Sequence, residues 1–168
     1  RHNRVRNGLP RYAVWDYGPQ TWQMHNLSLH REAKKRYADA WTLRVAAQRF
    51  AESRVDRTLN APELHTQSER VNAYSANWDF TKELGSKHML FYGAEGVWND
   101  VASDGTQRNV LTGVVSDLYA RYPQSTWFSA GVYATEAWSI NDQTTVTSGL
   151  RASAVGLDAD FTSNLPYF

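Results

Sequence analysis

The sequence predicts an all-β chain, an antiparallel meander of long strands, and three observations carry that prediction. Apolar and polar side chains alternate with period 2 over several stretches, which sends successive residues to opposite faces of a strand. The alternating runs are about 10 to 14 residues long, whereas strands of globular proteins usually have ~5–6 residues and tilted membrane strands need ~9–11. Short and long connections alternate strictly along the chain, so one end of the sheet is trimmed and the other elaborated, as in barrels with short turns on one side and long loops on the other. Together they predict that the meander is part of a transmembrane β-barrel.

Taken in order, residues 1–20 contain Gly8-Leu9-Pro10 and Gly18-Pro19 and read as loop. Residues 21–30 form a strand with poor alternation. The stretch from His30 to Trp41 is rich in strong helix formers. Beyond it, however, Trp41, Leu43, Val45 and Ala47 alternate with Thr42, Arg44, Ala46 and Gln48, and a helix would wrap those apolar residues around its circumference. Residues 38–53 are therefore assigned to a strand. The clearest strand is 69–82, in which Tyr74, Ala76, Trp78 and Phe80 oppose Ser75, Asn77, Asp79 and Thr81. The polar link Glu83-Leu84-Gly85-Ser86-Lys87 suits a hairpin and leads into 88–99. There Leu90, Tyr92, Ala94, Gly96 and Trp98 share a face, and the other face carries Met89, Phe91, Gly93, Glu95 and Val97. Strands 127–140 and 144–156 flank the tight link Asn141-Asp142-Gln143. On the outgoing one Val146, Leu150, Ala152 and Ala154 share a face with Ser148, and on the incoming one Glu136 falls among Phe128, Ala130, Val132, Ala134, Trp138 and Ile140. Short links are expected at 31–37, 83–87 and 141–143 and long loops at 54–68 and 99–126, with 157–168 beginning another outward loop.

Composition narrows the function classes. The 168 residues carry 18 Lys+Arg against 17 Asp+Glu, a formal net charge of +1, and their scatter lacks the concentrated basic face of a nucleic-acid binder. No apolar run approaches the ~18 residues of a membrane helix. There is no Cys, which removes disulfide frameworks and thiol chemistry. Arg1 to Arg11 has no apolar stretch after it and does not resemble a cleavable signal, so the chain is expected to be mature or a fragment. The informative excess is aromatic, 13% of residues, with rings near the ends of the runs as in two interfacial girdles. Trp41, Leu43, Val45, Tyr74, Trp78, Phe80, Leu90, Tyr92, Trp98, Val146 and Leu150 are thus expected to face lipid, and Arg44, Gln48, Asn77, Asp79, Glu95 and Arg151 a lumen. A soluble all-β carbohydrate-binding module, whose apolar face would be its core, is the competing reading. A small eight-stranded membrane barrel is another.

One segment is more specific. Tyr133-Ala134-Thr135-Glu136-Ala137-Trp138-Ser139-Ile140, then Asn141-Asp142, then Thr145-Val146-Thr147-Ser148-Gly149-Leu150-Arg151 resembles the TonB-dependent outer-membrane receptors, in which a Tyr-x-x-Glu-x-Trp strand turns tightly into one ending Gly-Leu-Arg. Asn77-Trp78-Asp79-Phe80 and Tyr92-Gly93-Ala94-Glu95 are similar to strands in the middle of such barrels. The resemblance covers about residues 20–161 and implies a bacterial outer-membrane receptor barrel of about 22 strands filled by an N-terminal plug. It implies capture and import of a scarce ligand such as a ferric siderophore with energy from TonB. The plug and the TonB-contacting part are not expected within these residues, which would be a central barrel fragment.

The sequence carries no catalytic constellation. There is no Gly-x-Ser-x-Gly elbow and no phosphate-cradling glycine loop, and His2, His25, His30, His65 and His88 lack metal-ligand spacing, so no enzyme activity, metal or cofactor is expected. Asp79 and Glu95 read as lumen carboxylates balanced by Arg44 and Arg151. Ligand contact is expected at Arg108, Tyr119, Arg121, Tyr122 and Trp127, whose rings and cations suit an anionic, partly aromatic chelate.

Overall fold

A computed structural model describes residues 5–6, 9–32 and 34–162. Its strands are β1 (Val5–Arg6), β2 (Leu9–Pro10), β3 (Tyr12–Tyr17), β4 (Thr21–Glu32), β5 (Ala40–Thr58), β6 (Glu63–Leu84), β7 (His88–Asn109), β8 (Val115–Leu118), β9 (Gln124–Asn141) and β10 (Thr144–Asp160). β1 and β2 form a small ribbon, and the other eight make one antiparallel sheet in the order β10-β9-β7-β6-β5-β3, with β4 also on β5 and β8 also on β7. There is no α-helix among the described residues. The sheet is a meander of six ribbons, because β3 and β4 lie end to end along β5 and β8 and β9 lie end to end along β7.

The turns follow local chemistry. Gly85 supplies the positive φ of 76° that closes β6 onto β7, and at the far end Asn60, which tolerates the left-handed region, does so between β5 and β6 with φ 65°. The Asn109 carboxamide accepts from the amides of Leu111 and Thr112 at 2.9 and 3.0 Å and shapes the turn into β8.

Several expected loops are strand. β5 and β6 run on to Thr58 and back from Glu63, and β7 extends to Asn109, so the stretches 54–68 and 99–126 are mainly hairpin rather than long loop. Residues 12–17 pair with β5, and β10 continues to Asp160, where loops were expected at 1–20 and from 157. In the β5–β6 extension the reason is that both faces are largely polar, with Arg54 opposite Gln67 on one face and Ser53 opposite Ser68 on the other. Alternation then vanishes from the sequence while the backbone ladder persists. At 22 residues, β6 and β7 are roughly 70 Å long at ~3.3 Å per residue, about twice what a ~9–11-residue membrane crossing requires.

No hydrophobic core forms among the described residues. Ala38 and Ala120 are the buried apolar residues, while Trp78, at 48% exposure, and Leu150, at 85%, stand open on a single-layer sheet. The buried polar side chains Gln67, Glu69 and Ser103 gather under residues 119–122.

Candidate functional site

Register assigns the faces. Phe80 lies opposite Trp41 and Tyr92, and Trp98 opposite Tyr74 and Phe128, and the row between them runs Val45, Ala76, Gly96, Ala130, Ala154. All the residues expected on the apolar side share this face, with Val146 opposite Trp138 and Leu150 opposite Ala134. Its rings are in contact: Trp41 meets Trp78 edge-on at 6.3 Å, Phe80 stacks on Tyr92 at 5.0 Å and Trp98 on Phe128 at 6.3 Å. Glu136 also falls here, and its carboxylate meets His88 Nδ1 at 2.7 Å close to the short turns, with His88 stacked on Trp138.

The opposite face carries a charged ladder across five strands. Arg44 Nη1 donates to Asp79 at 2.5 Å, and the Tyr133 hydroxyl donates to the other Asp79 oxygen. Arg151 pairs with Glu95, which also accepts from Asn77 Nδ2 at 3.3 Å. Both long reaches pass over a glycine. Tyr133 crosses β7 at Gly93, where a Cβ would lie 2.6 Å from its hydroxyl, and Arg151 crosses β9 at Gly131, where a Cβ would lie 2.7 Å from Nη2. Gln48 shares this face and accepts from Trp22 Nε1 at 3.4 Å.

Toward the long-hairpin end, residues 119–123 leave the β8–β9 line and cross this polar face. Gly105 makes the crossing possible, since a Cβ there would meet the Tyr119 carbonyl oxygen at 2.5 Å. Gln67 Nε2 donates to that carbonyl at 3.3 Å, the Tyr122 amide to Ser103 Oγ at 3.3 Å, and Gln124 Nε2 to the Ser103 carbonyl at 2.8 Å. Arg121 extends from this strap toward Glu52 and Glu69, which lie directly opposite one another on β5 and β6, at 3.6 and 3.7 Å. Glu69 is 6% exposed and neither of its carboxylate oxygens has a hydrogen-bond partner. Burial pushes its carboxyl above the usual glutamate value, assisted by Glu52 and opposed by Arg121 and Arg54.

Of the residues expected to touch a ligand, the strap brings Tyr119, Arg121 and Tyr122 together, with the Arg121 guanidinium 5.2 Å over the Tyr122 ring. Trp127 lies lower on the same face, between Asn99 and Leu157. Arg108 does not join them. It sits near the hairpin tip, opposite Leu64 and Val115, in the register of the other face. Sequence reasoning missed Glu52, Arg54, Gln67, Glu69 and Ser103, because they lie at strand ends or in stretches without alternation. Among the described residues no three His, Cys, Asp or Glu side chains gather into a group that could hold a metal ion. His2 lies outside the described residues.

The single-layer antiparallel meander of the described residues, with a ring-edged apolar face and a charged face, has the fold of part of a transmembrane β-barrel. The solved copper transporter OprC is similar to it, with a TM-score of 0.73 at 12% identity over 90% of this chain and 24% of that one. The chain thus spans about a quarter of the length of that transporter. No protein-family profile matches the sequence, and no curated protein does.

Proposed function

We propose that this chain is part of the wall of a bacterial outer-membrane β-barrel transporter, with its apolar face against lipid and its charged face toward the lumen. The observation that carries the reading is the uncovered apolar face: its rings and aliphatic residues are solvent-open on a sheet that has no second layer among the described residues. A soluble carbohydrate-binding module would bury that face. The edges β4 and β10 pair with no further strand among the described residues, and backbone in a bilayer tolerates no open edge. Further strands outside this segment, rather than an eight-strand closure, are therefore part of the proposal.

The cargo follows from the strap. Arg121 and Tyr122 present a cation and a ring from the long-hairpin side, which suits an anionic aromatic chelate such as a ferric siderophore. In the intact protein, import would draw on TonB through an N-terminal part outside this segment, as the sequence resemblance implies. The test is uptake of radiolabelled ferric siderophores, and of copper in parallel, by iron-starved cells with the gene intact, deleted or carrying Arg121→Ala. Chelate uptake that needs the gene and TonB, and falls in the Arg121→Ala strain, supports the reading. Uptake that is indifferent to TonB, or confined to copper, contradicts it.

A further inference from the structure

The short-turn end of the apolar face is more than a boundary. Residues 34–39 fold back over that face: Tyr92, which points to it, donates its hydroxyl proton to the Tyr37 carbonyl, and Lys82, also on it by register, donates to the Lys35 carbonyl at 3.0 Å and to Asp39 at 2.8 Å. The Asp39 amide donates to the Thr81 carbonyl and its carboxylate accepts from the Glu83 amide, both at 2.8 Å, and the Tyr37 ring packs edge-on against Phe80. The turn is therefore pinned in place by the girdle itself.

Charge is divided around it. Lys35 and Arg36 are exposed and form no ion pair with a described residue, whereas Lys34 lines a recess with Glu32, Asp39 and Glu83. Arg31 lies opposite Trp41, on the apolar face, whereas the nearby carboxylates Glu32 and Glu83 lie opposite Ala40 and Met89, on the polar face. Beside this basic turn runs an open trough of about 840 Å³, floored by small residues such as Ala94, Ala134 and Ala152 and bordered by Phe80, Tyr92 and Leu150. Phe80 and Tyr92 belong to both features, so the trough leads toward the cations.

We propose that this end of the sheet is a binding site for an anionic phospholipid, its phosphate held by Lys35 and Arg36 and an acyl chain lying in the alanine-floored trough. The inference rests on the lipid-facing reading above and deepens it from general solvation to one occupant. A flat apolar wall would bind neutral and anionic lipids alike. Two unpaired cations beside a pinned ring cluster discriminate by charge, and the small-residue floor gives a chain a place between the rings.

The test is native mass spectrometry of the full-length protein in mixed micelles supplied with equal amounts of phosphatidylglycerol and phosphatidylcholine. Wild type is expected to retain phosphatidylglycerol preferentially. K35Q/R36Q should lower that preference by about fivefold for each cation removed while the protein still shows the heat-modifiable gel shift of a folded barrel. Ala134→Trp, which fills the trough, should reduce retention of both lipids and leave their ratio unchanged. Inorganic phosphate at matched ionic strength should leave the ratio unchanged as well, and its abolishing the preference would replace the lipid with a plain anion site. Equal retention of the two lipids by a folded wild type, or an undiminished preference in the double variant, would overturn the proposal. Failure of the wild type to fold in either lipid would instead bring down the membrane reading on which it stands.

Discussion

Ser75 and Ala76 are neighbours of similar size with opposite surroundings, which makes them the sharpest probe of face. Ala76 lies midway between the two sets of rings, opposite Val45 and Gly96, while Ser75 lies on the charged face opposite Ala46 and Val97. If the apolar face meets acyl chains, Ala76→Arg should cost ~2–4 kcal/mol of folding free energy in a bilayer and Ser75→Arg close to none. Denaturant titration in vesicles measures both, and equal costs would contradict the assignment. The glycines of the ladder make a second residue-scale prediction. A methyl group at Gly131 would press on Arg151 Nη2, the end of a flexible side chain, and move it off Glu95. Gly131→Ala should therefore cost about 1 kcal/mol, at the low end of overpacking, and add nothing in an Arg151→Ala background. Additive costs in the double mutant would show that the clash lies elsewhere. The Arg44–Asp79 and Arg151–Glu95 pairs involve residues that the sequence alone singled out, since charge sign and face parity are both local. The glycine crossings were not legible, because each couples side chains on strands that are not adjacent in the sheet.

Two short elements respond to pH with opposite signs. Asp39 is held below its usual value of 3.8, first by the hydrogen bond from Lys82 and then by the Glu83 amide. A lowered acid supports the fold above the ordinary value and loses that support as pH falls through the depressed one. Exchange of the Asp39 and Glu83 amides should therefore accelerate only in strong acid for the wild type, but already at neutral pH for Asp39→Asn. Glu69 is raised above 4.5, chiefly by burial. Its contribution to stability is present below the ordinary value and is lost as pH rises through the raised one. Protection of the strap around residues 119–122 should thus increase on mild acidification from neutral pH, and Glu69→Gln should flatten the profile. A strap indifferent to pH in the wild type would refute this. The strap itself could not be foreseen: Pro123 signals irregular backbone, but the direction the chain takes is decided by Gly105 on another strand. The long hairpins escaped for a related reason. Their ladder is a backbone property, and with both faces largely polar no side-chain period betrays it, whereas residues 73–80 announced their strand because one face had to be apolar.

At the scale of the whole molecule, the described residues build a wide sheet with two chemically distinct sides and no interior of its own. Ordinary globular stability comes from apolar area hidden between layers, and here that area faces outward on a sheet whose edges β4 and β10 are open. Such a sheet is a stable object only where another phase covers the rings and other strands complete the hydrogen bonding. That requirement was visible in the sequence as long alternating runs with aromatics at their ends. The direct measurement is nitroxide accessibility along 73–80 in membrane-inserted protein, made simple by the absence of any cysteine among the 168 residues. Labels at 74, 76, 78 and 80 should collide with lipid-soluble oxygen, and labels at 73, 75, 77 and 79 with a water-soluble nickel chelate. Equal accessibility at neighbouring positions, or shielding of the even positions from both reagents, would contradict the central claim.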